Sequence, residues 1–255
     1  MVLCKRFVGF KLSNTFSGSF AFALFSIWVA GRYFPGVEQM AACALIALGL
    51  ASLLTKLLDA NREAIWIKHV SPWSANRKLS FEFGSIFLAI FCAAAAVQFL
   101  FGETLVNVDL ENIYRNEFYQ LFMHNFQILI TGTVLAVIYR AGGVVLILAW
   151  NALHWAEAIF SYILQIGSKV GVSKALLVLS SILPHLILEA LAYVIAGLAG
   201  VFISIAVFKY RFGSAELYRV SVACLTFLLV AIGVLFLATT SEVYLAQKVF
   251  HSLGG

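Results

Sequence analysis

Apolar residues in this chain come in long runs, separated by short clusters of polar and charged ones. The strict alternation of a half-buried strand is absent. A helix that crosses a bilayer needs about 20 mostly apolar residues. Seven runs approach that length, at residues 16–34, 37–58, 81–101, 121–139, 142–163, 175–208 and 218–240. The sixth run, 34 residues long, exceeds one straight span and contains Pro184. Proline removes a backbone donor and clashes with the preceding turn. The pattern predicts an all-α polytopic membrane protein with about seven transmembrane helices, the sixth long and kinked or broken at Pro184.

Composition removes the competing classes. The chain is 62% apolar and 11% charged, with a mean hydropathy of +0.97. Soluble domains run near half apolar and a quarter charged. A soluble globular enzyme, a disordered chain and a nucleic-acid-binding domain are all excluded. The expected partners are membrane lipid and other membrane or membrane-associated proteins, with a homo-oligomer open and nucleic acid left out. The four cysteines are scattered, without metal or disulfide spacing, and read as small apolar fillers.

The net charge of +5 reads as topology. With the N-terminus inside, inside segments hold 12 of the 17 Lys and Arg, and outside segments hold 5. That asymmetry is the positive-inside pattern. It predicts a multi-pass protein of the cell membrane with a cytoplasmic N-terminus and an external C-terminus. Lys5, Arg6 and Lys11 precede the first run, but another span follows at once, so this run is read as a retained helix rather than a secretory signal.

Three regions follow. Residues 1–60 form an N-terminal hairpin of two helices, residues 61–80 a basic cytoplasmic loop, and residues 81–255 a five-helix membrane domain. The Arg140-Ala141-Gly142-Gly143 connection is so short that the fourth and fifth helices must be antiparallel. Residues 112–117 are a candidate for a short interfacial helix.

Polar side chains at membrane depth are costly and normally face a bundle interior. They concentrate in three spans: His124, Asn125 and Gln127 in the fourth, Asn151, His154 and Glu157 in the fifth, His185 and Glu189 in the sixth. His185 and Glu189, four apart, share a helix face, and Asn151, His154 and Glu157 share a broad one. At about 1.5 Å per residue these groups fall into rough layers: His124 with Glu157, His154 with His185, Asn151 with Glu189. Such a set has three chemical uses. It can hydrogen-bond between helices and fix packing. A buried Glu can act as acid, base or proton relay. His154, His185, Glu157 and Glu189 can bind a divalent metal such as zinc, although His-x-x-x-Glu is no established zinc motif. No cofactor is otherwise expected.

The segment Leu183-Pro184-His185-Leu186-Ile187-Leu188-Glu189 resembles the Pro-His-x-x-x-Glu signature of the stage II sporulation protein M family of membrane proteins. Further matches are the Asn125 helix, the Gly142-Gly143 turn, Asn151-Ala152 in place of an Asn-Gly pair, and the small residues after Glu189. Ala152 and Leu186 depart from the family's usual glycines. The resemblance covers roughly residues 81–240 and points to Asn125, Asn151, Pro184, His185 and Glu189. It implies a membrane anchor and scaffold, as for the namesake during engulfment, and no catalytic mechanism. The expected function is an integral membrane scaffold or complex subunit. The alternative is an intramembrane hydrolase or transporter built on the His/Glu cluster, with His185 and Glu189 as its catalytic candidates.

Overall fold

A computed structural model describes residues 12–66, 68, 72–101 and 118–246. The candidate interfacial helix at 112–117 lies outside them. Among the described residues there are seven α-helices and no strand: α1 (Leu12–Tyr33), α2 (Glu38–Trp66), α3 (Pro72–Phe101), α4 (Phe118–Tyr139), α5 (Ala141–Val170), α6 (Val172–Lys209) and α7 (Ala215–Ser241). A π-helical turn, Glu242–Ala246, follows α7. Six helices are long and apolar enough to cross a membrane. The remaining one, α1, opens on Ser13, Asn14, Thr15, Ser17 and Ser19, which dilute its apolar character.

Two boundaries differ from the sequence expectation. The 61–80 loop is largely helical, since α2 runs to Trp66 and α3 starts at Pro72. Proline suits a first helical position, where its missing N–H has no partner to lose. The two polar helix ends are tied by Asn61 Nδ2, which donates to Asn76 Oδ1 at 2.9 Å. At Pro184, α6 continues unbroken for 38 residues. The proline is exposed, so its ring stands off the packed side.

The centre of the bundle is α5, which packs against α2, α3, α4 and α6. Its membrane-length window is 72% buried, against 17% for that of α7, which packs mainly on α6. The hairpin helices also join the body, α1 on α3 and α2 on α5. Cys43, Cys92 and Cys224 are free thiols within this packing.

Lipid supplies no hydrophobic force between helices, so they associate through close packing and hydrogen bonds. Close packing here depends on glycine. A Cβ on Gly200 of α6 would stand 2.7 Å from the Thr133 carbonyl oxygen and 2.8 Å from Ala136 Cβ, both on α4. A Cβ on Gly197 would meet Val144 of α5 at 3.1 Å. At the α4–α5 turn, a Cβ on Gly143 would overlap the Leu135 carbonyl. Arg140 takes the left-handed conformation there, with φ 52°, to reverse the chain. These seats bring α6 and α5 onto the α4 backbone, and α6 onto the Val144 side chain of α5.

Gly200→Leu is expected to lose on the order of 1–3 kcal/mol or more, because it overpacks a site facing backbone. Gly233→Leu, with no neighbour in reach of its Cβ, should be neutral or gain up to about 1 kcal/mol of helix propensity. Thermal unfolding midpoints in detergent check both. Equal effects at the two positions would contradict the packing account.

Candidate functional site

The buried polar centre is built on α6. His185, Glu189 and Tyr193 follow one another at four-residue steps, which stacks them along one face. All three are buried, at 5%, 3% and 1% exposure. His185 Nε2 lies 3.0 Å from Glu189 Oε2. The Tyr193 hydroxyl donates to the other oxygen, Glu189 Oε1, at 2.5 Å. A second carboxylate arrives from the π turn beyond α7: Glu242 Oε2 is also 3.0 Å from His185 Nε2. The opposite ring nitrogen, Nδ1, is 3.3 Å from the Ala238 carbonyl oxygen of α7.

The proton roles follow from these neighbours. A carbonyl only accepts, so Nδ1 carries the hydrogen that bonds Ala238. Nε2 faces two carboxyl oxygens but has at most one hydrogen to give. Glu242 Oε2 finds no aligned donor. Its closeness to the ring is therefore an electrostatic contact, and the directed hydrogen bond belongs to Glu189. The backbone N–H of Glu242 is shared between the Ala238 and Thr239 carbonyls, where the α-helical pattern gives way to the π turn. His185 thus ties into α7 at the point where its ladder changes register. Such π turns occur often at functional sites.

The remaining sequence candidates take different places. Asn151 is buried and its Nδ2 donates to the Ile147 carbonyl of its own helix at 2.8 Å. Asn125 and Glu157 are buried, at 5% and 1% exposure. Pro184 is exposed beside the cluster. His154 is exposed on α5, within electrostatic reach of Glu189 and His124. Its neighbour Trp155 is buried, 6.4 Å from the His185 ring and 5.4 Å from Phe87 of α3, edge-on. Among the described residues no three His, Cys, Asp or Glu side chains are arranged to hold a metal ion. Sequence reasoning missed Tyr193 and Glu242. Tyr193 was available as the next four-residue step after Glu189. Glu242, beyond the last apolar run, gave no local signal.

His124 lies outside this centre, exposed on α4 within electrostatic reach of His154. On α4 the residues Gln120, His124, Gln127, Thr131, Val134 and Ile138 are all exposed. They follow one another by alternating steps of four and three, the spacing of a helix–helix seam. Among the described residues His124, Gln127 and Thr131 make no hydrogen bond. A groove of about 450 Å³ runs beside them, between α2 and α4 over α5, with Met40, Cys43 and Trp150 on its walls.

Glu189→Ala is expected to lose about 3–5 kcal/mol, because it leaves the buried imidazole without its directed partner. Glu242→Ala should lose less, since that side chain is 18% exposed and has no aligned donor. Heating purified protein in detergent and measuring the folded fraction by gel filtration ranks the two. The reverse order would overturn the assignment of the directed bond.

A sequence model of the family described as Stage II sporulation protein M matches residues 79–247. No curated protein and no solved structure matches the chain.

Proposed function

The chain belongs to the stage II sporulation protein M family, and from that premise we propose that it serves as a multi-pass scaffold, a subunit of a membrane protein complex. The carrying observation is the exposed seam of α4. Polar side chains inside a span normally face protein or water, because lipid offers them no hydrogen bond. His124, Gln127 and Thr131 stand on a lipid-level helix with no bond among the described residues. A transmembrane helix laid along this seam, from another membrane protein or from a second copy, satisfies all three. The groove beside the seam receives its side chains. Interhelical hydrogen bonds of this kind contribute roughly 0.6–2 kcal/mol each.

In this reading the His185 cluster is an internal fastening. Its members hold α6 to α7 and face one another, while the docking face lies on α4. The reading also keeps the topology drawn from charge, with a cytoplasmic N-terminus and an external C-terminus.

Removing the polar face of the seam should release the partner. Purification in mild detergent is expected to recover wild type with a partner in fixed stoichiometry. His124→Leu/Gln127→Leu should lose most of that partner while keeping the same helicity. A strictly monomeric wild type, recovered alone from lipid nanodiscs, would sink the scaffold reading.

A further inference from the structure

A second recess lies at the opposite end of α4, where the chain turns at Arg140. It measures about 450 Å³ and sits between α2, the α4–α5 turn and the end of α6. Its walls are apolar: Leu58, Ala141, Val201, Ile205 and the Phe208 ring. Its rim is cationic: Arg62, Arg140 and Lys209, against a single carboxylate, Asp59. Among the described residues neither Arg140 nor Lys209 has a carboxylate partner. The Arg140 guanidinium lies over the Phe208 ring, 5.2 Å from its centroid. The Lys209 ammonium lies over Tyr210, at 5.4 Å. A ring face attracts a cation but leaves its N–H donors open to an anion. Arg62 is paired with Asp59 at 3.3 Å, but both are more than half exposed. Exposed pairs of that kind are weak and exchange readily for a better anion.

We propose that this recess binds the headgroup phosphate of an anionic phospholipid. Its position carries the argument as much as its charge. Arg140 and Lys209 stand at the ends of the membrane-length helices α4 and α6, where a phosphate would lie. Ile205, one turn further in along α6, offers an apolar wall to the first segment of an acyl chain. The local balance of three cations and one carboxylate is matched by one phosphodiester with charge to spare. Arginine adds the fork of donors that suits phosphate oxygens. Basic recesses between transmembrane helices are a known form of such a site. This end also gathers Lys56, Arg77, Lys78, Arg211 and Arg219 on neighbouring helices and turns, which raises the local concentration of anionic lipid. The inference is independent of the α4 seam and holds whether or not a protein partner docks there.

The test uses the full chain in detergent micelles doped with phosphatidylglycerol or with phosphatidylcholine of the same acyl chains. Retained lipid is counted by native mass spectrometry. Phosphatidylglycerol is expected to be retained at least about tenfold better. Arg140→Gln/Lys209→Gln should weaken retention roughly 25-fold, at about fivefold for each basic residue near a lipid surface. Ile205→Trp keeps every charge and fills the wall, and should also lower retention. Arg219→Gln, a cation at the same end but outside the recess, should lower it far less than the double variant does. Equal retention of the two lipids overturns the proposal, as does an Arg219→Gln loss as large as the double variant's. Displacement of phosphatidylglycerol by micromolar inorganic phosphate would reassign the recess to a soluble phosphate ligand and overturn the lipid.

Discussion

A polar group inside a bilayer has no water to fall back on, and this constraint shapes the structure at every level. It makes the chain helical, because a helix satisfies its own backbone. It draws His185, Glu189 and Tyr193 onto the buried side of α6 and brings Glu242 to them from α7. It turns Asn151 back onto the carbonyl of Ile147 within its own helix. The same constraint makes the α4 seam informative. Among the described residues His124, Gln127 and Thr131 make no hydrogen bond, in contrast to Asn151 and Tyr193.

Packing supplies the second half of the account. In lipid, apolar contact between helices is nearly free of direction and offers little net force. Specific contact then comes from shape. Gly197 and Gly200 let α6 reach α5 and α4, and Gly143 closes the α4–α5 hairpin. With these three helices fixed, α5 becomes a core strut against which α2 and α3 also rest. The hairpin of α1 and α2 therefore shares one packed body with the later helices.

The fold class was legible because run length and composition are direct consequences of bilayer thickness. Six of the seven apolar runs became helices of spanning length and apolarity. Helix ends were less legible. Asn61 and Asn76 extend α2 and α3 past the apolar runs by bonding each other, and hydropathy registers them only as loop. At Pro184, of the kink or break expected, the break is not taken, since α6 runs on through it. A proline on an exposed face can be carried by a long helix whose neighbours hold it from the other side. Within the site, His185 and Glu189 were visible from their spacing and from the family signature. Glu242 was not, because it reaches the cluster through tertiary contact across 53 residues or more of intervening chain, as the Ala238 bond also does. His124 and His185 looked alike as intramembrane histidines. Only the helix packing separates the one facing a carboxylate from the one facing outward.

The cluster sets how α7 meets α4 as well as α6. α7 is mostly exposed and rests on α6, so apolar contact alone leaves its rotation and height weakly set. The bond from His185 to Ala238 and the contact to Glu242 fix both, since a one-residue slip would carry the carbonyl and the carboxylate away from the ring. That seat positions Phe236, whose ring meets Phe118 at 5.2 Å and Phe122 at 6.1 Å, edge-on in each case. Phe118 and Phe122 stack along α4 on the face turned away from Gln120 and His124, which are each two residues further on. Buried charge contributes specificity more readily than stability. Here that specificity is a helix register, and three aromatic rings carry it from α7 to α4.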